Sequence, residues 1–303
     1  MTGWFTEALE CIGIFLYAVL IIRIWLSRDS YFNTPFFTFF ITTGVGGILS
    51  VLSFMAGTIV NLTAPWAWVL KVCWIVNHVG AIGSMLGKLI ISINRYSVLR
   101  SSDLVENKWS RWHIYRLVAL QYLIPCTSST KVLFFDYKYE MRNGVEVAYT
   151  FTDAGIVASK TVTTAYYIIY VVLSVILMIL TSRSLMKLSA KVGEGNAKRQ
   201  ILHHQRTMFI IVSLCVFSHV FKAVHQAVWG VTTLMGQPQV ADAIYPYYSY
   251  VNGLATYTAP VVLFVCSAKV RQLFLRRLRV YSPSVDTTGS ALHSNCNNGV
   301  NRI

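Results

Sequence analysis

The chain has 303 residues, of which 55% are hydrophobic and 13% charged, with a formal net charge of +14. That charged share is about half of what a soluble domain carries, too little to build a water-facing surface. In a soluble protein the positive balance would suggest nucleic acid. Here the basic residues gather at the ends of apolar runs, so no nucleic-acid partner is expected.

Taken in chain order, the apolar runs broken by charge are 11–26, 36–60, 66–93, 114–135, 161–182, 207–234 and 244–267. A helix needs about 20 apolar residues to cross the hydrocarbon core, and only a helix or a closed barrel satisfies its own backbone there. Runs such as TVTTAYYIIYVVLSVILMILTS at 161–182 lack the alternation of a barrel strand. The pattern predicts an all-α, seven-transmembrane helix bundle within residues 1–280 and a polar, disordered cytoplasmic tail over 281–303. The pieces between the runs, chiefly 136–160 and 183–206, are too short for a second globular domain.

Lys and Arg set the expected orientation. Eighteen of them fall on one side of the runs: Arg28, the group from Arg95 to Arg116, the group from Arg183 to Arg206, and the tail from Lys269. The other side has Lys138, Arg142 and Lys160. Cytoplasmic loops carry the basic excess, which predicts an outside N-terminus and an inside C-terminus. Met1–Glu10 holds Glu7 and Glu10 and no basic residue, unlike a cleaved signal peptide, so the first run is read as a retained anchor. Trp25, Trp66, Trp68, Trp109 and Trp112 fall at run ends, as interfacial belts do. After the last run, 268-AKVRQLFLRRLRVY-281 sets Val270, Leu273, Phe274, Leu278 and Tyr281 on one helical arc and cations on the rest. Such a segment is expected to lie on a bilayer with an anionic inner leaflet.

No Asp or Glu falls in the middle of any run, which argues against the carboxylate relays of pumps and ion-coupled transporters. The last run has no lysine for a Schiff base, and the seven histidines form neither His boxes nor an HExxH site. The six cysteines show no CxxC or metal spacing. Neither catalysis, nor a metal, nor a cofactor is expected.

Intramembrane cations remain. Lys222 falls near the middle of the sixth run with His219 and His225 three residues to either side, and it stands out as the one strong charge near mid-membrane. A charge there costs about 2.5–3.5 kcal/mol on insertion scales. One reading is a pocket wall that favours anionic or acceptor-rich ligands; the other is a lysine that snorkels or bonds backbone carbonyls. Tyr250, Leu254 and Tyr257 share one face of the last run, which offers aromatic lining beside Lys222 and His219, although early tyrosines also suit a membrane-interface belt. Small residues at four-residue spacing, such as Gly46/Ser50, Gly80/Ser84 and Gly83/Gly87, predict close packing of the second and third helices. Asn61-Leu62-Thr63 is a glycosylation sequon on the predicted outer side, in a loop of only a few residues.

The inner end of the third run reads 91-ISINRYSVL-99, with an Asn94-Arg95-Tyr96 triplet. Together with seven runs and a basic amphipathic segment after the last, it resembles the D/E-R-Y corner of G-protein-coupled receptors. With 109-WSRWHIYRL-117 and 259-APVVLFVCSAKVRQLF-274, residues 8–280 are similar to nematode serpentine chemoreceptors of the class gamma superfamily, in the gamma class or the neighbouring V class.

The resemblance implies a small-molecule chemical cue arriving from outside and a heterotrimeric G protein meeting Asn94, Arg95 and Tyr96. It also implies a place in the plasma membrane of sensory neuron cilia. Asn94 replaces the acid of the receptor corner, and Ala259-Pro260-Val261-Val262-Leu263 stands where NPxxY would be. Without an acid beside it, Arg95 is expected to be held less firmly, with some ligand-independent activity. Loop 136–160 has no cysteine, so the family's tether from the third helix is unavailable, while pairing of Cys73 with Cys126 stays open. A seven-span channel or transporter is the alternative. An inverted channel conflicts with the charge distribution, and no paired Gly/Pro interruptions mark a transporter.

The topology is testable by cysteine labelling at engineered sites in intact cells. Positions 195 and 290 should resist an impermeant reagent, and labelling of either would overturn the orientation.

Overall fold

The computed structural model describes residues 3–59, 62–63, 66–100, 109–142, 145–191, 196–244 and 247–279. Nine helices lie within these residues: α1 (Gly3–Trp25), α2 (Pro35–Ile59), α3 (Trp68–Arg100), α4 (Arg111–Ser129), α5 (Asp153–Lys191), α6 (Asn196–Leu234), α7 (Pro238–Ile244), α8 (Tyr248–Cys266) and α9 (Ala268–Arg279). Seven of them, all but α7 and α9, are long and apolar enough to cross a membrane. The tail from 281 lies outside the described residues.

Helices α5 and α6 each run for 39 residues, well beyond the apolar runs that announce them. Hydropathy marks only the part of a helix that meets hydrocarbon, and the backbone ladder continues through polar residues beyond it. Helix α1 likewise starts ahead of its apolar run, and this carries Glu10 into the packed interior, 5% exposed. Its carboxylate accepts from Ser249, and its backbone carbonyl accepts from Tyr257.

The loop after α4 is a small antiparallel sheet rather than plain coil. Strands β2 (Tyr137–Arg142) and β3 (Val145–Phe151) pair, and β1 (Leu62–Thr63) adds to the other edge of β3. The sequence carries Asn143-Gly144 between the two longer strands. An Asn-Gly pair between two strands is a common sequence signal for a hairpin. We call this the sheet end of the bundle, and the end bearing Arg95 the basic end.

A cluster of rings fixes the sheet to the helices. Phe151 is fully buried between Trp74 of α3, Phe135 and Tyr137, with ring centroids 4.9, 5.7 and 5.7 Å away. Leu70 and Val132 complete the cluster. Two lysines reinforce it through backbone carbonyls: Lys71 donates to Leu133 at 2.8 Å and Lys131 to Ala158 at 3.0 Å. Cys73 and Cys126 are both free thiols.

Helix α5 turns its aliphatic side chains outward. On α5, Tyr167, Tyr170, Ser174 and Thr181 are buried while Ile168, Ile169, Val172, Leu173, Ile176 and Ile179 are exposed. Lipid is as apolar as leucine, so no hydrophobic force drives side chains inward, and small and hydrogen-bonding groups make the interior contacts. Helix α3 is the hub. A methyl group at Gly80 would lie 2.5 Å from the Gly46 carbonyl oxygen and 2.9 Å from the Ser50 amide nitrogen on α2. At Gly87 it would overlap the Thr43 hydroxyl, and at Gly83 it would press on Tyr122 of α4. Ser50 donates to Asn77 at 2.7 Å across the same α2–α3 seam.

The chain breaks at Ser267, whose extended backbone separates α8 from α9. Val270, Leu273 and Phe274 of α9 then fold against the core at the basic end, with Phe274 on Phe264 at 5.5 Å. Arg271 donates to the Val265 carbonyl and holds the corner.

The seam can be tested by paired substitutions. Gly80→Val places carbon against backbone that cannot yield and should cost about 1–3 kcal/mol or more, seen as a lower thermal unfolding midpoint of the detergent-purified chain. Gly57→Ala, where the added methyl meets Cys73 at an ordinary 3.6 Å, should leave the midpoint nearly unchanged.

Candidate functional site

Side chains of α3, α5, α6 and α8 converge in the bundle around two buried ammonium groups. On α6 the residues facing inward recur as His219, Lys222, Gln226 and Gly230, the three-to-four spacing of one helical face. Lys222 is 3% exposed, and its Nζ donates to Asn252 Oδ1 of α8 at 2.5 Å. The rings of Tyr167 and Tyr248 lie 5.6 and 5.8 Å from it. Lys222 is thus buried and bonded, not snorkelling.

Lys222 is not alone at depth, which corrects the sequence reading. Lys88 of α3 is 5% exposed, and its Nζ donates to the Ala255 carbonyl at 2.7 Å and to His219 Nε2 at 3.2 Å. An ammonium has only donors, so His219 must accept at Nε2 and carry its proton on Nδ1. That Nδ1–H donates to the Cys215 carbonyl one turn back, 3.0 Å away. One ammonium and one imidazole thereby connect α3, α6 and α8. Pro260 removes the ladder bond to the Thr256 carbonyl, next to the Ala255 carbonyl that Lys88 meets.

A third cation stands nearer the sheet end. Lys160 of α5 is half-buried, with its Nζ 3.1 Å from the Trp229 ring centroid, 5.9 Å from that of Trp74 and 6.0 Å from that of Tyr248. Tyr248 therefore stands between Lys160 and Lys222. His225 closes the same wall, with its ring 6.0 Å from Tyr248 and Nε2 donating to the Ile244 carbonyl at 3.1 Å. Among the described residues no carboxylate pairs with Lys88, Lys160 or Lys222.

Tyr250 and Tyr257 do not join this group. Tyr250 is half exposed on the outer face of α8, and Tyr257 turns to α1, where its ring packs over Gly13 and its hydroxyl donates to the Glu10 carbonyl at 3.1 Å. The inward face of α8 is Tyr248, Asn252, Ala255 and Ala259. The face of Tyr250 and Tyr257 meets lipid and α1, and the neighbouring face with Tyr248 meets Lys222. Tyr248, Tyr167, Lys160 and Lys88 are the residues the sequence reading passed over. A signal for Lys88 was available, since it is a cation set among packing glycines.

At the basic end, Asn94 and Arg95 are both buried and Tyr96 is half-buried. The Arg95 guanidinium lies 4.4 Å from the ring centroid of Phe36 on α2. An aromatic face thus engages the arginine where the receptor corner would offer an acid. Between Lys88 and this end, a cavity of about 20 Å³ is bounded by Tyr17, Phe36, Phe40, Ile91, Ile211 and Ala259, room for a single water. A smaller one of about 10 Å³ adjoins Arg95 between α3, α5 and α6. The sequon residue Asn61 lies outside the described residues.

A family model described as serpentine type 7TM GPCR chemoreceptor Srv matches residues 7–280. Comparison with curated proteins finds no match. Among solved structures, squid rhodopsin superposes with a TM-score of 0.66 at 14% identity, covering 91% of this chain and 84% of that one. At that identity the likeness shows a shared fold.

The Lys88–His219 contact can be measured by a double-mutant cycle. Lys88→Met, His219→Phe and the double variant should unfold thermally with a coupling of about 0.5–3 kcal/mol, as groups in direct contact do. Simple additivity would show that the two do not interact.

Proposed function

We propose that this chain, which belongs to the serpentine chemoreceptor family Srv of seven-transmembrane G-protein-coupled receptors, is a chemosensory receptor of the plasma membrane. Its N-terminus and sheet end face outside, and its basic end faces the cytoplasm. A small-molecule cue enters at the sheet end and binds among α3, α5, α6 and α8, with Lys222 as the polar contact, His219 engaged beside it with Lys88, and Tyr248 in place of Tyr250 and Tyr257. A heterotrimeric G protein docks at the basic end against Asn94, Arg95 and Tyr96 and the loops over 95–116 and 183–206. The basic arc of α9 rests on the anionic inner leaflet. Sensory cilia are the expected site of action by family kinship.

The observation that supports this reading is the polar link from Lys88 to His219 and the Ala255 carbonyl. Arg95 lies seven residues further along the same helix, about 10 Å by helical rise. A ligand that draws Lys222 or Asn252 away from its present partner changes how α6 and α8 sit against α3. Packed helices shift between discrete arrangements rather than deform smoothly, and the two small cavities beside Arg95 and above Phe36 leave room for such a step. Leaving Phe36 frees the guanidinium to donate several hydrogen bonds to the carbonyl end of a partner helix.

Arg95→Ala should abolish G-protein activation while surface expression stays near the wild-type level. The check is ligand-evoked calcium or nucleotide exchange normalised to surface-labelled receptor. Wild-type signalling at equal surface density would reduce Arg95 to a positive anchor at the membrane face.

A further inference from the structure

Three features of the side chains packed around Lys222 point the same way. First, its charges are of one sign: Lys160, Lys222 and Lys88 descend through the bundle, and no described carboxylate pairs with any of them. Glu10, the acid buried in α1, is engaged instead with Ser249. Second, donors are left over. The Tyr167 hydroxyl and the Asn252 amide nitrogen are both buried with no hydrogen-bond partner, and both residues are 1% exposed. The Asn252 amide is oriented by Lys222, because the ammonium requires Oδ1 and so turns Nδ2 away from it. Third, the wall is aromatic, with Tyr248 and Trp229 at 6.1 Å and Phe54 on the far side of Tyr248 at 4.8 Å.

Buried donors without acceptors are costly, and the cost grows in a low dielectric. A group that offers only acceptors and a negative charge answers all of them together. A carboxylate has two oxygens with about four lone-pair sites, enough for the Lys222 ammonium, the Tyr167 hydroxyl and the Asn252 amide. A neutral amide or alcohol would bring a donor of its own into a place already short of acceptors.

We propose that this cluster is a binding site for small organic acids, with the carboxylate held by Lys222, Tyr167 and Asn252 and the apolar body against Tyr248 and Trp229. Lys160, half-buried in its aromatic cage nearer the sheet end, makes the first contact on the way in. The proposal rests on the reading of the bundle as a receptor with its ligand between α5, α6 and α8, and it names the ligand class. His219 is not among the contacts, since both its ring nitrogens are occupied by Lys88 and the Cys215 carbonyl.

The test uses the full chain purified in detergent and its thermal unfolding midpoint, with no G protein present. Sodium carboxylates from acetate to octanoate, and sodium benzoate, are compared with the matching amides and with sodium chloride at equal ionic strength. At least one carboxylate should raise the midpoint in a saturable manner while its amide and chloride do not. Lys222→Met should weaken the apparent affinity for that carboxylate roughly tenfold or more, the scale of a lost hydrogen bond to a charged group.

Tyr167→Phe keeps the ring and removes a buried, unpartnered hydroxyl, so it should leave the ligand-free midpoint unchanged or raise it and still weaken the carboxylate several-fold. It decides the matter if Lys222→Met does not fold. Equal stabilisation by acid and amide, stabilisation by chloride alone, no response to any acid in the series, or unchanged affinity in Tyr167→Phe would each overturn the proposal. None of these results bears on coupling. A failure of the chain to activate any G protein would in turn leave a positive binding result standing.

Discussion

A charge carried into the hydrocarbon layer has to be surrounded by acceptors, and the middle of this bundle is arranged around that requirement. Lys88 lies on the helix that packs against most of the others, and its ammonium takes a carbonyl from α8 and a ring nitrogen from α6. Both acceptors come from other helices, so the charge can be buried only while three helices stay in register. Lys222 makes the same demand one turn away and meets it with the side-chain oxygen of Asn252. The glycines of α3 complete the arrangement, since only a helix without side-chain bulk at Gly80 and Gly87 comes close enough to α2 to seat Lys88 at this depth.

The same logic explains the sorting of side chains elsewhere. Where water would drive every leucine and isoleucine inward, lipid does not, and beside its buried phenylalanines and aliphatics the interior admits serine, threonine, glutamine and lysine. These groups bring more hydrogen-bonding capacity than the helices can satisfy among themselves. The surplus at Tyr167 and Asn252 is local and lies beside a cation, which gives the cluster a chemical preference and not only a shape.

Much of this was legible in the sequence, and the misses have definite causes. Apolar runs and basic flanks are local properties, so the seven spans and the basic segment after the last could be read directly, while the depth of Lys222 stayed open between a pocket wall and a snorkelling lysine. Lys88 lies five residues before the apolar run stops at 93, a position from which a lysine can snorkel. Because the helix continues to Arg100, the residue lies deeper than the run implies. Glu10 was missed for the mirror-image reason, as α1 begins well ahead of its apolar stretch. Tyr248 was lost to helix phase: three side chains four and three residues apart share a face, but spacing alone does not tell which face meets lipid. The hairpin was announced by Asn143-Gly144 and went unread because attention to hydropathy passes over polar strands. Orphan donors such as the Tyr167 hydroxyl cannot be seen in sequence at all, since they depend on what three other helices fail to provide.

The ring cluster around Phe151 has a consequence of its own. Here the sheet is attached to α3 by buried aromatic faces, with Lys71 over the Tyr137 ring and Cys73 left as a thiol. A covalent tether would hold at any temperature and fail under reduction. Apolar contact behaves in the opposite way: it is indifferent to thiol reductants and loses strength on cooling. The grip of this sheet on the bundle therefore answers to temperature rather than to redox state, and it loosens as the surroundings grow cold.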